Sequence, residues 1–331
     1  MMTRSSHRDS MFVSLLLSLL VWGAGLSAAM AQEYPVRPIR ILLPVGQGGS
    51  VDVVSRIVAQ KLGTELNQQV LVENRAGANG VIAVQAHKAL PADGHALLVI
   101  TPILAAVESF SGPQSYDYRK DFEPVALAFS NYFYLAVKAN GPFNSVAELI
   151  KVARANPGKF NYGMATVSIG QRLGVEMLKK QTAIDLTFIP YKAQVDALTA
   201  LRTGQTHLIM GDLVGISPLV ASGELKFIAI ASKSRSPNAA EIPTVEEAGG
   251  PRDFVTSSWV GFVTHVGVSS AIVTRLNRSL NSILQDPEMK AFYQKNDLVF
   301  APTSPADFRR LILTEAEIYN TNIRGVGLKV E

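Results

Sequence analysis

The chain has 331 residues, 47% hydrophobic and 18% charged, a balance that describes a folded globular protein and excludes a disordered one. Its net charge of +4 is spread without basic runs or interleaved aromatics, so composition gives no support to a nucleic-acid partner. The absence of cysteine excludes disulfides, thiolate metal sites and lipid attachment through a cysteine.

At the N-terminus, Arg4 and Arg8 precede an apolar run from Met11 to Leu26, and Ala29 and Ala31 supply the small residues of a signal peptidase site. A membrane anchor is the competing reading. The run is shorter than the roughly 18 to 20 apolar residues that a span needs, and Gly23, Gly25 and Ser27 interrupt its end. Residues 1–31 are therefore expected to be a cleaved export signal, with a periplasmic mature chain.

The first strand is expected in "IRILLP", followed by the loop "VGQGG" and a helix from Ser50, where Val54, Ile57, Val58 and Leu62 recur at helical spacing. A strand, a glycine loop and a helix start together bind anions through backbone N–H groups and the helix dipole. Nucleotide phosphate fits poorly: Val51 stands where a third glycine would fall, no Gly-Lys-Ser/Thr follows, and an exported protein meets no ATP or NAD pool. No cofactor is expected.

"QVLVEN" alternates as a strand, "RAGANG" is a second glycine loop, and a helix is expected over about 81–90, then a strand in "ALLVIT". After a less regular stretch, two apolar segments near 125–130 and 132–137 lead to a capping box at Ser145 and Glu148, with Pro157-Gly158 stopping that helix. "NYGMA", "LTFIPY", "THLIMGD" and "LKFIAIAS" read as strands, with helices from about Ile169 and over 194–203 between them. "SWVGFVTH" is another strand, a helix follows over about 269–285, and Ser304-Pro305 opens the last one. This alternation predicts an α/β protein.

With these elements placed, several motifs resemble one family in order from about residue 34 to the end. They are "YPVRPIRILLP", the run Gly48, Gly49, Asp52, Arg56, then "VENRAGANG", "LPADGHALL", "ANPGKFNYG", "PYKAQVDALTALRTGQ" and "IPTVEEAG". The chain resembles the extracytoplasmic solute-binding (Bug-type) receptors of tripartite tricarboxylate transporters.

That resemblance implies a two-lobed periplasmic-binding-protein-like α/β fold with a ligand cleft. Lobe 1 would hold residues 32–133 plus 256–331, and lobe 2 residues 134–255. It also implies a small organic acid as ligand, integral membrane subunits as partners, and a monomeric receptor. Carried over residue by residue, Gly46, Gln47, Gly48, Gly49, Asn79 and Thr101 would contact the ligand from lobe 1, and Thr166, Ser168 and Asp212 from lobe 2. The chain departs from the family pattern where Met164, Thr166, Ser168, Arg172, Ala193 and Gly211 stand, so the ligand's identity stays open.

Other roles are open for several of these residues. Asp52 and Arg56, four apart on a helix, read better as a structural ion pair than as ligand contacts. Asp212 could cap a loop or accept from a ligand, Tyr191 reads as packing that lines a hinge, Met164 as an apolar wall of the cleft, and Arg172 as either exposed or ligand-facing. A serine hydrolase is the main rival: Ser168, Asp212 and His265 occur in the chain order of an α/β-hydrolase triad, although His265 falls in a segment expected to cross between lobes. A binding protein that signals to a membrane sensor is a third reading. His87, His95 and His207 lack metal-ligand spacing.

Overall fold

The structure, a computed structural model, describes residues 34–106, 115–165 and 169–328. The expected signal over 1–31 and the site candidates Thr166 and Ser168 lie outside the described residues.

Strands form where β-branched and leucine-rich runs can be buried on both faces. β1 (Ile39–Leu43) pairs in parallel with β2 (Val70–Asn74) on one side and β3 (Ala96–Ile100) on the other. All five residues of β3 are buried, as a central parallel strand requires. β4 (Phe122–Tyr132) and β10 (Ser257–His265) complete the sheet together with the short β11 (Leu298–Val299). The order is β11-β4-β10-β3-β1-β2, with β10 antiparallel to both of its neighbours.

A second sheet forms from β5 (Tyr134–Lys138), β8 (Ile209–Gly211) and β9 (Leu225–Ile230), antiparallel about β5. The parallel pair β6 (Phe160–Ala165) and β7 (Leu186–Tyr191) joins it through the bridge of Tyr162 to Leu208. A separate apolar core lies around these strands, centred on Leu135, Phe143, Leu149, Tyr162 and Leu208.

Helices connect the strands, most at the expected places; those over 102–106, 213–221 and 287–295 were not expected from the sequence. In chain order they are α1 (Ser50–Glu65), α2 (Val81–Lys88), α3 (Pro102–Ala106), α4 (Val146–Ala155) and α5 (Ile169–Thr182), followed by α6 (Gln194–Thr203) and α7 (Leu213–Ala221). The C-terminal part holds α8 (Ser270–Leu284), α9 (Pro287–Lys295) and α10 (Pro305–Val326). Half of the expected capping box is present as drawn, with Glu148 N–H donating to Ser145 Oγ at 3.1 Å. The Glu148 carboxylate reaches one residue further back, accepting from the N–H of Asn144 at 2.7 Å.

The two sheets are joined by two chain crossings that lie side by side. β4 runs through Phe133 straight into β5, and the chain returns through Thr256 into β10. Phe133 N–H donates to Thr256 O at 3.4 Å, while Ala231 N–H donates to Phe133 O at 2.8 Å and Thr256 N–H to Ala231 O at 3.0 Å. Paired adjacent backbones are an arrangement from which a hinge can be built. Tyr191, read as hinge-lining, sits elsewhere: it packs beside Gly163 in the second core.

Candidate functional site

The register of the first sheet decides where a site can form. β1 ends at Leu43 and β3 at Ile100, both at the carboxyl edge, and Gly261 of β10 pairs with Ile100. The first residues of β10 therefore lie at that same edge, opposite the end of β4, where Ser258 pairs with Asn131. Open α/β sheets place ligands outside the carboxyl ends of their parallel strands.

A cavity of about 70 Å³ lies at this edge, walled by both sheets. The first sheet's side supplies Ser50 and Val51 from α1, Thr101 and Ile103 after β3, Asn131 from β4, and Ser258 and Val260 from β10. Phe133 at the crossing, Ile169 to Gln171 at the start of α5, and Asp212 close it from the other side. No lysine, arginine or histidine is among the described lining residues, so any donors to an anion come from hydroxyls, amides and helix N-termini.

Asp212 is 5% exposed and joins the two halves. It caps α7 by accepting from the N–H of Gly215 at 3.0 Å, and its other oxygen accepts from Ser50 Oγ at 2.8 Å. Both readings of this residue thus meet at one carboxylate, which caps a helix and faces the cavity. Burial pushes its pKa up, against the hydrogen bonds from Gly215 and Ser50 that favour the charged form.

Thr101 and Asp212 are the two expected site residues that the structure brings to the cavity. Gly46, Gln47, Gly48 and Gly49 lie immediately before Ser50 but outside the lining, as does Asn79 in the left-handed conformation of its turn (φ 53°). Asp52 is structural: its carboxylate accepts from Arg56, from Asn74 at 2.9 Å and from the N–H of Gly48 at 3.3 Å, tying down the glycine loop. Burial raises its pKa, but those hydrogen bonds and the Arg56 charge outweigh that and hold it below the usual carboxylate range.

Two side chains depart from their expected positions. Met164 is 1% exposed within the second core rather than in the cleft wall, because β6 turns that face inward. Arg172 is half-buried and stacks its guanidinium on the Phe188 ring at 4.2 Å, so it neither hangs in solvent nor lines the cavity.

Asp212 and His265 of the hydrolase reading are not brought together. His265 is not at a crossing; it pairs with Phe122 at the far end of β10, stacked on His87 at 3.8 Å. Ser258 and Val260 share the cavity with Asp212, and His265 lies five to seven residues further along the strand. At about 3.3 Å per residue that separation is roughly 16 to 23 Å. Among the described residues, no group of three His, Cys, Asp or Glu side chains could hold a metal ion.

Sequence reasoning missed Ser50, Asn131, Gln171, Ser258 and Val260. A period of two along "SSWVGFVTH" puts Ser258 and Val260 on one strand face, and Ser50 is the first residue after the glycine pair. Those signals could have nominated them; Asn131 and Gln171 carry none.

Two α/β sheets joined by a double crossing, with a small cavity between them at the strand ends, define a solute-binding protein of the periplasmic binding class. The solved structure of a Rhodopseudomonas palustris protein, Rpa4515 with adipate, is similar: 28% identity, TM-score 0.86, covering 90% of this chain and 99% of that one. The periplasmic binding protein BugD shares the fold, with 24% identity, a TM-score of 0.84, and coverage of 89% and 99%. BugT of Bordetella pertussis is 29% identical over 318 residues, 95% of this chain and 97% of BugT. The model for the tripartite tricarboxylate transporter family receptor matches residues 54–328, and the chain belongs to that family. No helix among the described residues is long and apolar enough to cross a membrane.

Proposed function

We propose that this receptor captures a small organic acid in the cavity between its sheets by hinge closure and presents the closed form to the membrane subunits of a tripartite transporter. The observation that carries this reading is the cavity itself, framed by the N-termini of α1 and α5 from opposite sides, with no cationic side chain among its described lining residues. A carboxylate is stabilised there by N–H groups, hydroxyls and helix dipoles rather than by a buried counter-charge. The adipate-holding relative supports the ligand class.

In this reading Thr101 and Asp212 contact the ligand, joined by Ser50, Gln171 and Ser258, while the loop Gly46–Gly49 borders the site. Asn79, Thr166 and Ser168 stay candidates. The two lobes divide at the crossings, residues 32–133 with 256–331 against 134–255. The chain works as an exported monomer in the periplasm, and its mechanism is binding without covalent chemistry. Ligand drives closure only by its differential affinity for the closed form.

The test is a thermal-shift screen against straight-chain diacids, adipate included, hydroxy acids, aromatic acids and the amides of each. A ligand at a hundred times its dissociation constant stabilises the folded state by about 2.7 kcal/mol. An acid that raises the melting temperature while its amide does not supports the reading. Equal shifts with acid and amide, or none across the panel, oppose it.

A further inference from the structure

The glycine loop after β1 is occupied by protein. A Cβ placed on Gly46 would lie 3.0 Å from Ala193 Cβ, one on Gly48 2.6 Å from Val195 Cγ1, and one on Gly49 2.7 Å from Gln194 Oε1. Three consecutive residues at the start of α6 thus sit where three side chains of the loop would be. The loop follows β1 of the first sheet, whereas α6 packs on the second, with Ala197, Leu198 and Leu201 in that core.

Gln194 is held on its own side as well. A Cβ on Gly215 would meet its Nε2 at 2.2 Å, and one on Gly211 at 3.7 Å. Its carboxamide therefore fills a slot with Gly211 and Gly215 on one face and Gly49 on the other. The Nε2 group is buried there with no hydrogen-bond partner, beside the Asp212 that bonds to Ser50. Side chains on Gly46, Gly48, Gly49 or Gly215 would crowd the seam, and backbone that close is reached only by glycine.

We infer that Gly46, Gly48 and Gly49 are a closure seat for Ala193, Gln194 and Val195, and that Gln194 is the positioning residue that sets how far the cleft shuts. The loop acts on ligand affinity through closure. This inference rests on the receptor reading of the same cavity. When the lobes part, Gly49 leaves the slot while Gln194, Gly211 and Gly215 stay together on one lobe. A larger residue at Gly49 is then harmless in the open form and blocks the closed one.

Gly49 has ordinary extended backbone (φ −97°, ψ 173°), so Gly49→Ala tests contact alone and not backbone strain. Calorimetric titration with adipate should show Gly49→Ala at least tenfold weaker than the parent. Adding Gln194→Gly should bring the affinity back to within about threefold, because the slot is emptied. Full affinity in Gly49→Ala, or no recovery in the double variant, would overturn the inference.

A second arm needs no ligand. The pair Gly46→Cys and Ala193→Cys puts two Cβ atoms 3.0 Å apart, about half an ångström below the lower end of the 3.5 to 4.5 Å usual for a disulfide, a gap that a small parting of the seam closes. Mild oxidation of this otherwise cysteine-free protein should cross-link it, faster with adipate present. No cross-link in either condition overturns the closure seat. A cross-link that forms while the parent fails to bind adipate supports the seat and counts against adipate as ligand.

Discussion

His87 offers the sharpest energetic test of the fold. It is fully buried, with Nε2 against Ala96 O at 3.3 Å and its ring stacked on His265. Burial, together with the charge of His265, holds its pKa at about 3, far below the usual 6.5, against a small opposing contribution from Ala96. The folded protein therefore keeps His87 neutral across the range in which the unfolded chain takes up a proton. Stability is full above pH 6.5 and falls as pH drops from there towards 3, by about 1.4 kcal/mol per unit. Between pH 7.5 and pH 5 the loss from this residue is about 2 kcal/mol. Urea unfolding of the parent and of His87→Gln at those two values measures it. The variant should be less stable at both, but its pH-dependent loss should be smaller than the parent's by about 2 kcal/mol. Parallel losses would refute the argument.

Asp212→Ala removes the buried carboxylate that accepts hydrogen bonds from Ser50 Oγ and the N–H of Gly215. At about 1.5–3 kcal/mol per bond to a charged group, offset in part by the cost of burying the carboxylate, a chemical melt should show about 1–3 kcal/mol of lost stability. Gly261→Ala would place a Cβ 2.1 Å from Phe308 Cζ and 2.8 Å from Ala126 O, so a chemical melt should show about 1–3 kcal/mol of lost stability. Asp297 accepts from Tyr134 Oη at 2.6 Å and from Ser236 Oγ, tying the β11 edge to the second sheet. Asp297→Ala should cost about 1–3 kcal/mol in the same assay, and no loss would deny that tie a structural role.

Much of the fold was legible because its signals are local. Apolar runs at 39–44 and 96–101, the Ser145 cap and the Ser304-Pro305 start all became the elements they announce. The double crossing was not legible from patterning alone, because Phe133 and Thr256 meet only once the sheets are built; the family resemblance supplied it. Part of the cavity lining was legible. Thr101 and Asp212 follow strands directly, where a loop residue has one direction to face. A second use of the glycine loop was not legible, for a physical reason. Glycines serve equally a ligand and a close-packed neighbour, and sequence cannot show Ala193 to Val195 arriving over them. His265 misled because order along the chain says nothing of which end of a strand a residue occupies.

The central claim is that an organic acid binds in the cavity between the sheets. A crystal structure of the protein grown with the tightest-binding acid of the screen tests it most directly. The account predicts a carboxylate in that cavity, its oxygens about 2.7–3.2 Å from donors among Ser50, Thr101, Gln171 and Ser258, with Asp212 alongside. An acid bound elsewhere on the protein, with this cavity left to water or closed by its own side chains, would contradict it.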